Sequence, residues 1–177
     1  MKLYIIRHGQ TDWNLINRIQ GQKDVSLNKT GIIQAEKARK EILKYNFDLI
    51  ICSPLKRAKQ TAEIINQNRN IEIIYDKALM ERDLGEFEGT QSNLDENPID
   101  NLKMNLEINN IETAKQLYNR VSNLLDYIKN NLNDKKILLV THGGTARAIK
   151  TYFFGVDENG NMPPETLGNC EFREYTF

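Results

Sequence analysis

Short runs of apolar residues recur along the chain and predict the strands of a central sheet. Four runs rich in Ile, Leu and Val are predicted to be buried strands: Leu3 to Ile6, Asp48 to Cys52, Glu72 to Tyr75, and Lys136 to Thr141. The first, second and fourth are nearly continuous rather than alternating, which is typical of parallel strands covered on both faces. A fifth run, Cys170 to Phe177, alternates charged and apolar residues and is predicted to be an edge strand.

Apolar residues at helical spacing lie between these runs. Thr30 is predicted to cap a helix that continues to about Tyr45. Ser53-Pro54 is predicted to start a second helix, because Ser suits the N-cap and Pro the first helical position. The clearest apolar stripe extends from Leu117 to Leu132, and we interpret it as core rather than as an interface. A further helix is expected after Gly143-Gly144, so the alternation of strands and helices predicts an α/β domain with a mostly parallel sheet.

Composition narrows the classes of function. The chain has 177 residues, with 24 basic and 24 acidic side chains, two histidines and two cysteines. This length suits one domain, residues 1–177, and the zero net charge gives no reason to expect nucleic acid or an anionic membrane as a partner. No apolar run approaches the roughly 18 residues of a membrane span. Cys52 and Cys170 do not form the disulfide framework of a secreted protein, so a cytoplasmic location is expected.

Both histidines follow a predicted strand and precede a glycine. His8 lies in Arg7-His8-Gly9 after the first run, and His142 lies in Thr141-His142-Gly143 after the fourth. Because the carboxyl ends of parallel strands meet at one edge of a sheet, where α/β folds bind ligands, we expect the two side chains to lie close together. Arg57 follows the second run in the same way. Two arginines and two histidines at one edge predict a positively charged pocket that suits a phosphate group.

Other phosphate-binding and metal-binding motifs are not found. The span from Cys52 to Arg57 has one residue fewer than the loop of a cysteine phosphatase and lacks its glycines, so we interpret Cys52 as a packing residue. The sequence has neither a Gly-rich phosphate loop ending in Gly-Lys-Ser/Thr nor a His-Glu-x-x-His motif. With two histidines and no cysteine cluster, a zinc site is poorly supplied, and we predict no metal and no other cofactor.

Four blocks of sequence carry a family resemblance. They are Arg7 to Thr11 with Asn14 and Arg18 to Gly21, then Ser53 to Ala62, Leu79 to Gly89, and Thr141 to Gly144. In this order they resemble the signature of the histidine phosphatase superfamily, also called phosphoglycerate mutase-like. The resemblance extends from residue 3 to about residue 150, and Asn169-Cys170 resembles the closing strand. It implies a three-layer αβα sandwich with a mostly parallel central sheet, in which residues 84–112 form the rim of a substrate site.

The resemblance implies a role for each residue of the predicted pocket. His8 is expected to attack phosphorus and form a phosphohistidine, which requires an unprotonated nitrogen. Arg7, Arg57, Asn14 and His142 are expected to hold the phosphoryl oxygens and to offset the charge of the transition state.

Glu81 is implied as the general acid and base. It is expected to protonate the leaving oxygen and then, as a carboxylate, to activate water. The first task requires a proton at the start, so we expect burial to raise the pKa of Glu81. Gln20, Gly21 and Gly143 are the further substrate-binding residues that the resemblance implies.

The segment from Thr90 to Ile111 separates two functions of the family. Mutases that act on a three-carbon acid carry a longer insertion there, with an adjacent pair of arginines. Here the segment has a single Lys103, no arginine pair and four acidic residues, namely Asp95, Glu96, Asp100 and Glu107. We expect a small, highly anionic substrate to gain little from it.

The predicted function is therefore a metal-independent phosphoric monoester hydrolase of the histidine acid phosphatase type, acting on small phosphomonoesters. It resembles the branch that contains ribazole-phosphate and broad-specificity phosphatases. Phosphoryl transfer of the phosphoglycerate mutase type is the alternative within the family, and a non-catalytic phosphate-binding domain is the alternative outside it. The sequence leaves the physiological substrate and the oligomeric state open.

Overall fold

A five-stranded sheet lies at the centre of the computed structural model, which describes residues 1–92 and 110–177. Its strands, in chain order, are β1 (Lys2–Arg7), β2 (Leu49–Cys52), β3 (Ile73–Tyr75), β4 (Ile137–Thr141) and β5 (Phe172–Thr176). Their order across the sheet is β3-β2-β4-β1-β5. Strands β1 to β4 are parallel, and β5 is antiparallel to β1. The prediction of a mostly parallel sheet is confirmed.

Helices cover both faces of this sheet. They are α1 (Asp12–Leu15), α2 (Lys29–Glu41), α3 (Lys56–Asn66), α4 (Ala114–Asn131) and α5 (Gly143–Phe154). Alternate residues of each central strand point to opposite layers, so the sheet contributes to two separate apolar clusters: one contains residues of α2 and α3, and the other residues of α4 and α5. The predicted three-layer αβα sandwich is confirmed, and it explains why the central strands are apolar without alternation.

The two edges of the sheet differ from each other. Strand β5 pairs with β1 at one edge, as its alternating sequence predicts. Strand β3 lies at the opposite edge, where Ile74 is 44% exposed and Tyr75 is 46% exposed. The prediction that this run is buried is wrong, because β-branched and aromatic residues also suit an edge strand that has a partner on one side only.

The apolar stripe of α4 packs into the core, as predicted. Leu117, Val121, Leu125 and Ile128 are fully or almost fully buried in the cluster that α4 shares with the sheet. Thr113 caps the helix through a hydrogen bond from the backbone N of Gln116. Among the helices that the structure describes, none has both the length and the apolar character that a membrane crossing needs.

Two predicted helix starts are wrong. Asn28 rather than Thr30 caps α2, and its Oδ1 accepts a hydrogen bond from the backbone N of Gly31 at 2.8 Å. Helix α3 begins at Lys56, three residues after Ser53, with Leu55 at the capping position and no side-chain cap. Ser is a good cap, but a buried hydroxyl bonds to the nearest strong partner, and for Ser53 that partner is His142.

The loop arrangement places the site at one end of the molecule. Strands β1, β2 and β4 run in the same direction, so the residues that follow them meet at the carboxyl edge of the sheet. Of the predicted rim segment, residues 84–112, the described residues are 84–92 and 110–112. Its charged residues Asp95, Glu96, Asp100, Lys103 and Glu107 lie outside the described residues.

Candidate active site

A cavity of about 340 Å³ opens at the carboxyl edge of the sheet. Seven residues that the sequence singled out line it: Arg7, His8, Asn14, Gln20, Gly21, Arg57 and Glu81. The other two, His142 and Gly143, are buried beside these residues. The ring of His142 lies 5.1 Å from that of His8, centroid to centroid, and a Cβ atom added at Gly143 would lie 3.6 Å from Arg7 Cζ. The structure thus brings all nine residues together.

His8 is held in one orientation by its own loop. Its side chain is 2% exposed, and Nδ1 lies 2.7 Å from the carbonyl oxygen of Gly9. Because a carbonyl oxygen only accepts hydrogen bonds, Nδ1 must carry the proton. In the neutral ring Nε2 therefore has a free lone pair. Burial and the nearby Arg57 and Arg7 hold the pKa of His8 well below its usual range, so the neutral ring is the form present at neutral pH.

His142 has a different set of partners. Its Nδ1 accepts a hydrogen bond from Arg57 Nε at 3.2 Å, because a guanidinium can only donate. Its Nε2 therefore carries the proton of the neutral ring and donates to Ser53 Oγ at 2.7 Å. Burial, Arg57 and His8 keep the pKa of His142 well below its usual range. Both ring nitrogens are thus bonded to the protein.

Arg57 links three parts of the site. Its side chain is fully buried, and its terminal nitrogens donate to the carbonyl oxygens of Lys23 at 2.8 Å and Gly21 at 2.7 Å, while Nε binds His142. Burial lowers the pKa of Arg57 to about 10, which still leaves a guanidinium at neutral pH. Three of its five N–H groups are bonded to the protein, so two are left for a ligand.

Arg7 is anchored by residues far along the chain. Its Nη1 donates to the carbonyl oxygen of Leu167 at 2.7 Å. Its Nε is buried and, within residues 1–92 and 110–177, has no hydrogen-bond partner. A buried donor of this kind is costly in a native structure unless something else accepts its proton. An anion in the cavity would supply that acceptor.

Asn14 and Gln20 lie in the loop that contains α1. The Oδ1 of Asn14 accepts hydrogen bonds from the backbone N of Thr11 at 3.1 Å and from Asn169 Nδ2 at 3.4 Å. Its Nδ2 is left as a donor towards the cavity that Asn14 lines. Gln20 Oε1 accepts from Thr11 Oγ1 at 3.0 Å, which fixes the amide of Gln20 beside Asn14.

Gly21 occupies a position that excludes other residues. Its φ of +48° lies in the left-handed region, and an added Cβ would come within 2.0 Å of Glu88 Oε1. That carboxylate oxygen accepts hydrogen bonds from the backbone N of Gln22 at 2.7 Å and of Leu84 at 3.1 Å. The loop that supplies carbonyls to Arg57 is thereby tied to the segment after Glu81.

Glu81 is bonded to the amino end of α5. Its Oε2 accepts a hydrogen bond from the backbone N of Gly144 at 3.0 Å, and its Oε1 accepts from Thr145 N at 3.2 Å and Arg82 N at 2.9 Å. These three backbone amides hold the carboxyl group of Glu81 in place at the wall of the cavity.

Sequence reasoning missed several residues of the cavity. Trp13, Arg18, Arg82, Arg147 and Met162 line its wall. One signal was available for Arg147, because it lies four residues after Gly143 on a predicted helix and therefore on the same helix face.

The acidic and sulfur-containing residues do not assemble a metal centre in the described part of the chain. No group of three or more His, Cys, Asp or Glu side chains within residues 1–92 and 110–177 is arranged to hold a metal ion. Cys52 and Cys170 are both free, and burial raises the pKa of each thiol, for Cys170 to about 12. The packing role expected for Cys52 agrees with its full burial in the core.

The chain is similar to several known proteins. The family model of the histidine phosphatase superfamily (branch 1) matches residues 3–177. The uncharacterized phosphatase PhoE of Bacillus subtilis is 35% identical over 176 residues, which cover 96% of this chain and 88% of the relative. Phosphoserine phosphatase 1 of Hydrogenobacter thermophilus is 29% identical over 164 residues, covering 89% and 78%. Among solved structures, Bacillus stearothermophilus YhfR has a TM-score of 0.87 and 26% identity, and the match covers 98% of this chain and 89% of that chain.

Proposed function

Because the chain belongs to branch 1 of the histidine phosphatase superfamily, we propose that it is a metal-independent phosphatase that hydrolyses small phosphomonoesters through a phosphohistidine on His8. The observation that carries this proposal is the hydrogen bond from His8 Nδ1 to the carbonyl oxygen of Gly9. It assigns the proton to Nδ1 and leaves the lone pair of Nε2 free, in a cavity that two arginines make attractive to a phosphate.

The reaction proceeds in two displacements at phosphorus. First, His8 Nε2 forms a bond to phosphorus while the bond to the ester oxygen breaks, and Glu81 gives its proton to the departing alkoxide. Second, a water molecule attacks the phosphohistidine, and its proton goes to the carboxylate of Glu81. The bond between phosphorus and His8 Nε2 breaks, phosphate takes the proton from Glu81 and leaves, and His8 and the carboxylate of Glu81 return to their starting states.

Glu81 must carry a proton in the first displacement. A substrate that enters as the monoanion brings this proton with it and can pass it to Glu81. The amides of Gly144 and Thr145 hold the carboxyl group in place during both steps. The same contacts stabilise the carboxylate when it acts as the base in the second displacement.

The arginines provide the charge stabilisation. Among residues 1–92 and 110–177, Arg7 Nε has no partner and two N–H groups of Arg57 make no hydrogen bond, so both arginines can donate to the equatorial phosphoryl oxygens. Asn14 Nδ2, Gln20 and the loop at Gly21 complete the donor set. His142 contributes by holding Arg57, since a direct bond to the phosphoryl group would require its Nδ1 to gain a proton and release Arg57.

Two relatives favour hydrolysis over mutase activity. The Bacillus relative and the Hydrogenobacter relative are both phosphatases by name. Incubation with 3-phosphoglycerate separates the two reactions, because a phosphatase releases inorganic phosphate while a mutase yields 2-phosphoglycerate.

Two free cysteines support a cytoplasmic location for this activity.

Rapid mixing with a labelled phosphomonoester tests the proposal. Wild-type protein is expected to form an acid-labile phosphoenzyme within one turnover and to release phosphate, whereas the His8→Ala variant forms neither. A phosphoenzyme that persists in His8→Ala would assign the nucleophile to another residue. Tight binding without phosphoenzyme or product in the wild type would identify a non-catalytic phosphate-binding domain.

A further inference from the structure

The backbone that leads to Glu81 is held by side chains from distant parts of the chain. Each of four successive carbonyl oxygens, those of residues 78–81, accepts a hydrogen bond from such a side chain. The pairs are Arg120 Nη1 to Ala78 (2.7 Å), Thr141 Oγ1 to Leu79 (2.9 Å), Thr145 Oγ1 to Met80 (2.7 Å) and Arg120 Nη2 to Glu81 (3.1 Å). The position of Glu81 therefore depends on these donors.

Arg120 differs from the other donors because it binds two of these oxygens and carries a charge. Its Nε and Nη2 also bind the two carboxylate oxygens of Glu112, at 2.6 and 2.9 Å, so four of its five N–H groups are engaged. The side chains of Arg120 and Glu112 are only 23% and 14% exposed. A bidentate pair with so little exposure holds a fixed geometry, unlike an ion pair in water.

Glu112 extends this support to the residues that follow Glu81. Its Oε2 accepts a hydrogen bond from the backbone N of Asp83 at 3.1 Å, and its own backbone N donates to the carbonyl oxygen of Asp83 at 2.9 Å. Its carbonyl oxygen accepts from Arg82 Nε at 2.6 Å. Arg120 thus holds the chain up to Glu81, and Glu112 holds the two residues after it.

The carboxyl group of Glu81 has little room to move. Its oxygens bind Gly144 N at 3.0 Å and Thr145 N at 3.2 Å, and a Cβ atom added at Gly144 would lie 2.5 Å from Oε1. Both amides belong to the first turn of α5, where a backbone N–H has no partner within the helix. A small shift of the Glu81 backbone would therefore weaken both hydrogen bonds at once.

Arg120 lies outside the cavity at the carboxyl edge of the sheet. It lines a separate, open hollow together with Gln22 and Glu112, and it is not among the described residues that line the cavity. Gln22 reaches Glu81 from the same hollow, and its Nε2 donates to the carbonyl oxygen of Glu81 at 3.1 Å. Any effect of Arg120 on a substrate in the cavity must then act through Glu81.

We propose that Arg120, held by Glu112, is a positioning residue that sets the reach of the Glu81 carboxyl group for proton transfer. The inference rests on the proposed function, in which Glu81 gives a proton to the ester oxygen. Loss of Arg120 should therefore slow bond cleavage most where the leaving group needs that proton. An ion pair that only stabilises the fold would affect all substrates alike.

Two substrates with different leaving groups test the inference. The alkoxide of β-glycerophosphate needs a proton to leave, whereas the nitrophenolate of p-nitrophenyl phosphate does not. We expect Arg120→Gln to lower kcat/KM about tenfold to a hundredfold for the first substrate and less than about threefold for the second. Arg120→Lys keeps the charge without the fork of donors, and its ratio should lie between those of the wild type and Arg120→Gln. Equal losses for both substrates in both variants would overturn the inference.

A double substitution separates positioning from other effects on the reaction. In a Glu81→Gln background, Arg120→Gln should lower kcat/KM for β-glycerophosphate by less than about twofold, because the acid that it positions is gone. The same loss in both backgrounds would contradict the inference. Arg69→Gln is the matched control. Arg69 precedes β3 at the opposite edge of the sheet and donates to the carbonyl oxygens of Ile42 and Tyr45, so its loss should leave the substrate ratio unchanged.

Amide hydrogen exchange tests the positioning without turnover. The amide protons of Gly144 and Thr145 should exchange at least about threefold faster in Arg120→Gln, because both depend on the carboxyl group of Glu81. Ala146 is the internal reference, since its amide binds a backbone carbonyl oxygen at 2.9 Å. Faster exchange in a protein without phosphatase activity would support the inference and contradict the proposed function. Unchanged exchange at the first two amides would overturn the inference while an active wild type upholds the phosphatase function.

Discussion

The ends of β1 and β4 look alike in sequence but differ in what they do with a histidine. Each is a buried parallel strand followed by His-Gly, and the two rings lie 5.1 Å apart. At the end of β1, the Nδ1 of His8 donates to a carbonyl oxygen one residue on, and Nε2 is left free. At the end of β4, both nitrogens of His142 are bonded, to Arg57 and to Ser53.

The difference shows that a shared motif fixes position, while the hydrogen-bond partners fix chemical role. His8 is bonded within its own loop, so the orientation of its ring is set locally. His142 is bonded to residues that follow β2, so it connects two loops of the site. In the proposed mechanism the first histidine reacts and the second holds its neighbours.

Alanine substitutions of His8 and His142 should distinguish the proposed nucleophile from the residue that holds Arg57, and they should give the largest effects on kcat. We expect His8→Ala to lower kcat for a phosphomonoester by at least about 10⁴-fold, because the nucleophile is lost. His142→Ala should lower kcat by about 10²- to 10³-fold, the range for loss of transition-state stabilisation, and should still form phosphoenzyme slowly. Quench-flow with a labelled substrate measures both effects.

Matched far-UV and near-UV circular dichroism spectra are the control for folding of these two variants. If His142→Ala formed no phosphoenzyme while His8→Ala did, the assignment of the two roles would have to be exchanged.

Acid should destabilise the protein through both histidines. Their pKa values are held below the ordinary 6.5 in the folded state, so the unfolded chain binds more protons as the pH falls through 6.5. Stability is therefore full above pH 6.5 and declines below it. Protonation of the two histidines in the unfolded chain should together lower the free energy of unfolding by about 2 kcal/mol from pH 6.5 to about pH 5.5. Urea denaturation at a series of pH values measures this slope.

The variant His142→Gln provides the comparison, since it should retain about half of the dependence. Unchanged stability between the two pH values in the wild type would mean that the histidines are not buried in their neutral forms. The lowered pKa values of Glu171 and Asp157 act at more acidic pH and do not contribute in this window.

Removal of the Ser53 hydroxyl should give the smallest change in kcat. Ser53→Ala leaves the Nε2 proton of His142 without its acceptor, and we expect kcat to fall by up to about tenfold. The ¹⁵N chemical shifts of His142 should also change, which a purely structural loss elsewhere would not produce. Ser122→Ala is the matched control, because its Oγ is buried in α4 and has no hydrogen-bond partner within residues 1–92 and 110–177.

Much of the fold and the location of the site followed from the sequence. Continuous apolar runs identified the central strands. Because His8, Arg57 and His142 each follow one of these strands, the sequence also predicted that they meet at the carboxyl edge of the sheet, where the cavity lies. The predictions failed where a local preference competed with a distant partner. Thr30 and Ser53 are good helix caps, but Asn28 binds the amide of Gly31 and Ser53 binds a histidine 89 residues away.

Part of the cavity wall could not be obtained in this way. The arginines and histidines after the strands predicted a positively charged pocket, and Arg7, His8 and Arg57 do line the cavity. Arg82 and Arg147 come from separate parts of the chain and meet at the cavity only after folding. The pairing of carboxylates with arginines, as between Glu112 and Arg120, is likewise a three-dimensional property.

The bond from Arg7 to the carbonyl oxygen of Leu167 has a consequence for synthesis of the chain on the ribosome. The arginine is made 160 positions before its anchor. Strand β1 also lies between β4 and β5, so its own hydrogen bonds wait for the last third of the described chain. A nascent chain that ends before these segments cannot assemble the proposed phosphate site. This site is therefore completed only after both segments have been translated.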